Sequence, residues 1–420
     1  MRQLTYRHTL AASYVGYVTQ AIVNNLPPLL FIVFQKNLGL DIGQLTFLIM
    51  LNFGVQLVTD ALSPLFIDKI GYKKAIVLAH ILGTAGLFSM GILPGILPSA
   101  YAGLAIAMVV NAIGGGLIEV LVSPIVEALP GDKKSAEMSL LHSFYCWGHV
   151  AVVLISTLFF TVSGLSNWML LCFIWGLVPL FNCFLFAKAP VKHLIEEGDT
   201  AVPVRKLFTK KIFLLLMVAM VCAGASEQAM SQWASLFAES GLGVSKTMGD
   251  LLGPCVFAVL MGTSRLVLGT GKFKIKLETL LLASSVLCVF SYTLTVFAPI
   301  PIVSLVGCGL AGMAVGCMWP TVFSLAAKVI PKGGTAMFAL FALAGDLGCA
   351  GGPGLVGIIS DLGEGWLGFT GDETLKVGIF FAIAFPVVLL VSVMAIKQYR
   401  KKEQREDAEC GIAQEQGADA

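Results

Sequence analysis

One acidic residue stands in the middle of a long apolar segment and is the first candidate for chemistry. Glu119 lies in a stretch from about 102 to 126 that contains no other ionisable side chain. An ionised carboxylate is costly in hydrocarbon, so such a group is expected to face a protein interior or a water-filled cavity. Glu119 is therefore predicted to line a cavity and to bind a proton or a substrate. The alternative is a hydrogen-bonded carboxyl that only joins two helices.

Three residues of a later apolar segment have the spacing of one helix face. His142, Tyr145 and His149 lie at positions i, i+3 and i+7, so a helix would place them on the same side. Histidine titrates near neutral pH, which suits proton exchange beside a carboxylate. His142 is therefore a candidate for binding both the proton and the substrate. The alternative is that it only forms a hydrogen bond to a neighbouring helix, as intramembrane histidines often do.

A cluster of amide and acidic side chains occurs in the segment 226–233. Gln228 and Gln232 are one helical turn apart, Glu227 lies on the neighbouring stripe, and Trp233 follows. Carbohydrate hydroxyls pair with amides and carboxylates, while the C–H face of a sugar ring stacks on an aromatic side chain. These residues are predicted to bind a sugar, with packing between helices as the alternative, and Glu227 is also a candidate for binding the coupling proton.

Three further charged residues fall within apolar segments. Asp346 has glycines on both sides in the sequence. Two roles are predicted for it: it lines the cavity and binds a proton, or it belongs to an ion pair. Arg265 is predicted to form a structural ion pair or gate, with Asp346 or Asp60 as its partner, or to extend toward the membrane surface. Asp60 is expected at a gating interface. Trp319 is either an aromatic gate over the substrate or a core residue.

The elements that would position these groups follow from composition. Hydrophobic residues make up 57% of the chain and charged residues 12%, and the mean hydropathy is +0.87. A soluble domain carries about 25% charge, so the sequence predicts an all-α, polytopic membrane protein. Apolar runs long enough to cross the bilayer as helices lie near 9–34, 42–65, 74–95, 99–127, 137–162, 167–187, 212–238, 247–270, 277–299, 301–327, 335–360 and 375–396.

The basic residues alternate between loops, as expected when cytoplasmic loops hold the Lys and Arg. Of the 27 Lys and Arg, 23 fall on the side of the termini and three on the other, with Arg265 inside a span. Both termini are therefore predicted to be cytoplasmic, in a plasma membrane protein.

A polar connection near the midpoint divides the spans into two sets of six. The expected domains are an N-terminal bundle (1–187), a cytoplasmic linker (188–211), a C-terminal bundle (212–396) and a disordered tail (397–420). The halves align weakly: Phe34 to Gly39 corresponds to Phe237 to Gly243, and Asp60 to Arg265. Two six-helix repeats around a central site are typical of secondary transporters.

Several classes of chemistry lack a sequence signal. The ten cysteines are scattered singly, without metal-ligand spacing, so neither a metal nor another cofactor is predicted. There is no phosphate-binding loop of the Walker type and no nucleophile motif of a hydrolase. The chain is therefore not expected to be an enzyme, and its expected partners are protons, a small molecule and lipid, without nucleic acid.

The loop after the second span resembles the signature loop of the major facilitator superfamily, G-x-x-x-D-R-x-G-R-K. Here the sequence is Asp68-Lys69-Ile70-Gly71-Tyr72-Lys73-Lys74, preceded by Pro64 in place of the first glycine. The resemblance implies twelve transmembrane helices in two bundles and a gating role for the loop. The implied gating residues are Asp68, Lys69, Gly71, Lys73 and Lys74.

A narrower resemblance is to the fucose/galactose/glucose–proton symporter group. The segment Gly116 to Pro124, which contains Glu119, is similar to the motif G-x-x-E-T-x-x-N-P of that group. The fifth span is similar to its motif L-N-L-A-Q-x-F-N-x-x-G, and Asn24-Asn25 is similar to the start of its motif N-N-x-x-D. The resemblance implies a sugar carrier with Glu119 as the proton site and sugar contacts at Asn24, Asn25, His142 and Tyr145. The acidic residue of the last motif is Pro28 here, which sets this chain apart from the group.

Together these patterns predict a monomeric secondary transporter that moves a sugar or polyol by proton symport. One alternative is a proton-coupled exporter of amphipathic compounds, which would need a larger and more apolar cavity. A non-transporting membrane receptor is the alternative from another class. It would need a soluble effector domain or a long tail.

Overall fold

The computed structural model describes residues 4–130, 134–191, 204–269, 275–330, 334–366 and 371–418, and these form helices with no strand among them. Twelve segments are long and apolar enough to cross a membrane. Their bounds fall within a few residues of the apolar runs in the sequence. The predicted twelve-span, all-α architecture is therefore confirmed.

Each span of the first half is one long helix. The helices are α1 (Tyr6–Leu38), α2 (Ile42–Ile70), α3 (Tyr72–Ile96), α4 (Ala100–Glu127), α5 (Lys134–Ser163) and α6 (Trp168–Lys188). A short helix, α7 (Val204–Leu207), precedes the second half.

The spans of the second half are more often interrupted, and two of them contain π-helical turns. The seventh span contains α8 (Lys211–Ser231), α9 (Ala234–Leu236) and the turn Phe237–Gly241, and the eighth contains α10 (Lys246–Asp250), the turn Leu251–Cys255 and α11 (Val256–Gly269). The remaining helices are α12 (Leu277–Phe297), α13 (Pro301–Gly316), α14 (Met318–Val329), α15 (Gly334–Trp366), α16 (Gly371–Ala382) and α17 (Ala384–Ala418). Pro254 lies in the second π-helical turn, where its missing N–H disturbs the regular helix.

The C-terminal tail differs from its expected disorder, because α17 continues through it to Ala418. The tail is rich in Lys, Glu, Gln, Arg and Ala, all of which are good helix formers. Arg400 also forms an ion pair with Glu278 at the start of α12, which ties the beginning of the tail to the bundle.

The two halves share a turn at equivalent places. Gly39 ends α1 with a φ of 67°, and Gly243, which the weak sequence repeat assigns to the same position, has a φ of 64°. Both lie in the left-handed region that favours glycine. This correspondence supports the interpretation of the chain as two related six-span halves.

Two glycines allow the close helix packing that positions the acidic side chains. A Cβ on Gly114 would lie 2.5 Å from the backbone N of Gly83, so α4 packs directly on α3 one turn before Glu119. A Cβ on Gly348 would overlap the carbonyl oxygen of Val221, so α15 also packs directly on α8, just after Asp346. Small residues at such contacts are the usual basis of helix association in membranes.

Gly348→Ala is expected to push α15 away from α8 and to lower stability by about 1–3 kcal/mol, the usual cost of overpacking. The measurement is the melting temperature of the purified protein in detergent. Gly351→Ala is the matched control on the same helix, because a Cβ there would meet nothing within 4 Å. Equal melting temperatures for the two variants would contradict the close packing.

The halves meet most visibly at the end of the bundle opposite the chain termini, which we call the distal end. Lys36 Nζ lies 2.8 Å from Glu239 Oε1, and the rings of Phe31 and Trp233 lie 5.8 Å apart. In the same region the hydroxyl of Thr157 donates to Asp250 at 3.4 Å. Each pair joins one residue from either half, so the distal end is closed.

Candidate functional site

Buried carboxamides from α1 and α2 form a hydrogen-bonded chain that reaches Glu119. Gln20 Nε2 donates to Gln56 Oε1 and to Glu119 Oε2, both at 2.8 Å. Gln56 and Asn52 in turn donate to Asn24 Oδ1 at 2.8 and 3.2 Å. All four amides are buried, and Glu119 is half-buried. The Glu119 carboxyl therefore lies among polar groups inside the protein and not against lipid.

Two aspartates from other helices lie next to Glu119. Asp60 on α2, Glu119 on α4 and Asp346 on α15 each place a carboxylate oxygen within 4.8 Å of the other two. Asp60 and Glu119 belong to the first half and Asp346 to the second, so the cluster bridges the junction between the halves. Asp60 Oδ1 is buried and has no hydrogen-bond partner in the part of the chain that the structure describes.

Arg265 has a different partner from the two that the sequence suggested. Its NH2 lies 3.1 Å from Glu227 Oε2, its Nε donates to the Gly316 carbonyl at 3.3 Å, and its NH1 contacts Cys146 Sγ of the first half at 3.3 Å. The ion-pair interpretation therefore agrees with the structure, with Glu227 in place of Asp346 or Asp60. Helix rotation brings α8, and not α2 or α15, opposite the guanidinium.

The amides of the seventh span face the first half. Gln232 Nε2 donates to Gln228 Oε1 at 3.0 Å and to the Asn24 carbonyl of α1 at 3.2 Å. Gln228 is buried beside Glu227, to which its Nε2 donates at 3.4 Å. The predicted amide cluster of α8 therefore meets the amide chain of α1 at the centre of the bundle.

The two tryptophans occupy different surroundings. Trp233 is fully buried, and its Nε1 donates to the Pro353 carbonyl at 3.0 Å. It is a core residue in this structure, packed against Phe31, which differs from its predicted role of stacking on a sugar. Trp319 is half-buried and packs on Gly345, next to Asp346. It remains a candidate substrate contact.

The predicted polar face of α5 is present, and its accessibility varies along the helix. His142 is exposed, whereas Tyr145 is half-buried and His149 is buried. Asn25 Nδ2 lies 3.5 Å from the Tyr145 hydroxyl, and the His142 ring packs on Tyr17 with centroids 5.1 Å apart. His142 is exposed on the face opposite Leu140 and Trp147, which form the lipid side of the helix. His142 is therefore the accessible end of this polar face.

A family model described as Major Facilitator Superfamily matches residues 13–353. The chain belongs to this superfamily. No curated protein matches the chain by sequence.

Solved structures of superfamily members share the fold at low sequence identity. A bacterial homologue of the human lysosomal transporter Spinster, in an inward-facing and unoccupied conformation, has a TM-score of 0.72 at 15% identity, covering 93% of this chain and 97% of that one. The E. coli fucose:proton symporter FucP has a TM-score of 0.61 at 16% identity, with 92% and 98% coverage. The nucleoside transporter NupG has a TM-score of 0.73 at 14% identity, with 93% and 98% coverage.

The superfamily signature loop lies where α2 turns into α3. Gly71 ends α2 and begins α3 with a φ of 86°, a conformation that favours glycine. Lys69 and Lys74 are exposed and Lys73 is half-buried. The side chain of Asp68 lies outside the described residues, so its gating role stays a prediction.

Gln20 is a site residue that the sequence analysis did not single out. It lies one turn before Asn24 in α1, just as Gln228 lies one turn before Gln232 in α8. Comparison of the first and seventh spans would have revealed this shared pair of amides. The grouping of Asp60, Glu119 and Asp346 had no such signal, because its members come from three separate helices.

Proposed function

We propose that this superfamily member is a secondary active transporter that moves a sugar or polyol by proton symport with alternating access. The observation that carries the proposal is the hydrogen bond between Glu119 and the buried amide chain that begins at Gln20. A carboxyl that can take a proton is thereby joined to amides that can bind hydroxyl groups. Protonation of Glu119 would change the hydrogen bonding offered to a solute in the same cavity.

The solute site that we propose lies where the two halves meet. We assign Asn25 and Tyr145 from the first half, and Gln228 and Gln232 from the second, to this site. Their amide and hydroxyl groups can pair with several sugar hydroxyls at once. The fold shared with a fucose:proton symporter is in keeping with this substrate class. Because one chain supplies both halves, the transporter is expected to work as a monomer.

The arrangement of contacts fits one of the two states that alternating access would require. Its distal end is closed by contacts such as Lys36–Glu239, whereas His142, nearer the end that carries the termini, is exposed. The Lys and Arg distribution supports a cytoplasmic location for the termini. We therefore interpret the arrangement as open toward the cytoplasm, with rocking of the halves needed to open the other side.

A ligand screen by thermal shift tests the substrate class. A ligand that binds only the folded protein raises its apparent stability, so monosaccharides, polyols and lipophilic cations are added separately to purified protein. Stabilisation by a monosaccharide or polyol, lost in Gln228→Leu, is expected. Stabilisation by lipophilic cations alone would contradict the proposal and favour a proton-coupled exporter of amphipathic compounds.

Lys36→Gln is expected to increase the population that is open at the distal end. The ion pair is partly solvated, since the Lys36 side chain is 58% exposed, and such pairs contribute up to about 1 kcal/mol. The open-to-closed ratio should therefore rise by no more than about fivefold. Distances between spin labels at Asn37 and Ser245, in a background without native cysteines, measure the two populations. Lys376→Gln, a charge loss at the same end, is the control. An unchanged distance distribution in Lys36→Gln would show that the pair does not hold the closed state.

A further inference from the structure

The carboxylate cluster at the junction of the halves has no cationic partner among the described residues. Arg265, which lies in the eighth span, is paired with Glu227, and the described ion pairs include none with Asp60, Glu119 or Asp346. Three carboxylates so close together repel one another when ionised. The cluster therefore needs protons or a bound cation to be stable.

Gln20 gives a second, independent indication of a ligand at this place. Its side chain is 2% exposed, and its carboxamide is directed at Glu119 Oε2. Its Oε1 is nonetheless buried without a hydrogen-bond partner in the described part of the chain, as is Asp60 Oδ1. Buried polar atoms are rarely left unsatisfied. One unpartnered oxygen within the cluster, and another in the carboxamide that is hydrogen-bonded to Glu119, indicate a missing positive group.

We propose that Asp60, Glu119, Asp346 and the carboxamide oxygen of Gln20 form a binding site for a sodium ion. The three carboxylate oxygens, which lie within 4.8 Å of one another, leave a central point no more than about 2.8 Å from each of them. This is close to the 2.3–2.6 Å at which a large hard cation such as Ca²⁺ binds oxygen. Gln20 now presents its Nε2 to Glu119, so its carboxamide would have to turn to bring Oε1 toward that point. A small shift of the side chains would complete the coordination.

The kind of cation follows from the ligands and from their location. Carboxylate and amide oxygens select hard cations over transition metals. Mg²⁺ requires a near-ideal octahedron at shorter distances, which this spread of oxygens does not supply. The ligands come from both halves, so the site is divided each time the halves rock apart. A monovalent ion that loads and leaves in every cycle fits this arrangement better than a tightly held divalent ion.

Sodium and protons compete for the same carboxylates in this site. The charged or titratable groups that interact with the cluster from neighbouring helices are Glu227, Tyr17, Tyr145 and Cys349, besides the three carboxyls themselves. Sodium binding should weaken as the pH falls, because each proton taken up removes an anionic ligand. Occupancy of the site does not depend on transport, whereas the use of sodium to drive a solute rests on the proposed function.

Direct binding of radioactive sodium to the purified full-length protein tests the site. At mildly alkaline pH, in choline buffer, the wild type is expected to bind about one sodium ion per chain. Asp346→Asn and Gln20→Met should each weaken binding at least tenfold, the lower range for loss of a metal-site partner. Asp361→Asn is the matched control, since it makes the same change at an exposed position of α15.

Three results would overturn the proposal: no saturable sodium binding by the wild type, equal binding by wild type, Asp346→Asn and Gln20→Met, or displacement of all bound sodium by micromolar Ca²⁺. Gel filtration establishes whether each variant is folded. If Asp346→Asn does not fold, Gln20→Met still tests the site. Sodium binding without any sugar transport would refute the proposed function but not this site. Proton-driven transport by a protein that binds no sodium would refute this site and leave the proposed function intact.

Discussion

Glu119→Gln is expected to abolish uphill accumulation of the solute and to leave its exchange across the membrane intact. The amide keeps the shape of the carboxyl and its ability to hydrogen-bond to Gln20, but it cannot release a proton. With one proton per solute, a gradient of one pH unit can support about tenfold accumulation. The variant should therefore reach an inside-to-outside ratio of about one, whereas the wild type should exceed it.

Uptake of labelled solute into proteoliposomes, with and without a pH gradient, measures this difference. Glu373→Gln is a control with the same chemical change at an exposed position of α16, and it should accumulate solute like the wild type. Glu227→Gln, Asp346→Asn and His142→Ala are tested in parallel, because neighbouring groups can share one proton. Normal accumulation by Glu119→Gln would remove the coupling role from this residue.

Arg265→Gln is expected to have the largest effect on stability. It leaves Glu227, whose side chain is 7% exposed, without its cation, and loss of one partner of a buried ion pair costs about 3–5 kcal/mol. The yield of folded protein and its melting temperature should both fall sharply. The double variant Arg265→Gln with Glu227→Gln should recover much of the loss, because no unpaired charge remains.

The matched comparison for Arg265 is the exposed pair at the distal end. Lys36→Gln removes a cation from Glu239, but the Lys36 side chain is 58% exposed, so the cost in stability should stay below about 1 kcal/mol. A melting temperature that falls equally in Arg265→Gln and Lys36→Gln would contradict the special importance of the buried pair. Failure of the double variant to recover would indicate that Arg265 has a further role, through Cys146 or the Gly316 carbonyl.

The fold could be predicted from the sequence because its signals are local. Apolar runs mark each span, and the family resemblance carried by Gly71 and its basic neighbours was correct. The left-handed turns at Gly39 and Gly243 likewise follow from the residue type. The tail is the exception, since its charged composition indicated disorder although its residues are good helix formers.

The site was harder to predict because it depends on which helix faces meet. Glu119 stood out by its charge, but its contact with Gln20 and its proximity to Asp60 and Asp346 arise from the packing of four helices. The partner of Arg265 likewise depends on how α11 is rotated toward α8. Trp233 follows the amide pair in sequence, yet its ring packs in the core.

Proton movement driven by the solute alone tests proton symport most directly. Liposomes that contain the wild-type protein and a pH-sensitive dye are clamped at zero membrane potential in sodium-free choline buffer, and the stabilising sugar or polyol is added outside. We predict that the lumen acidifies as the solute enters and that liposomes with Glu119→Gln show no acidification. Entry of the solute without a pH change, or alkalinisation of the lumen, would contradict proton symport.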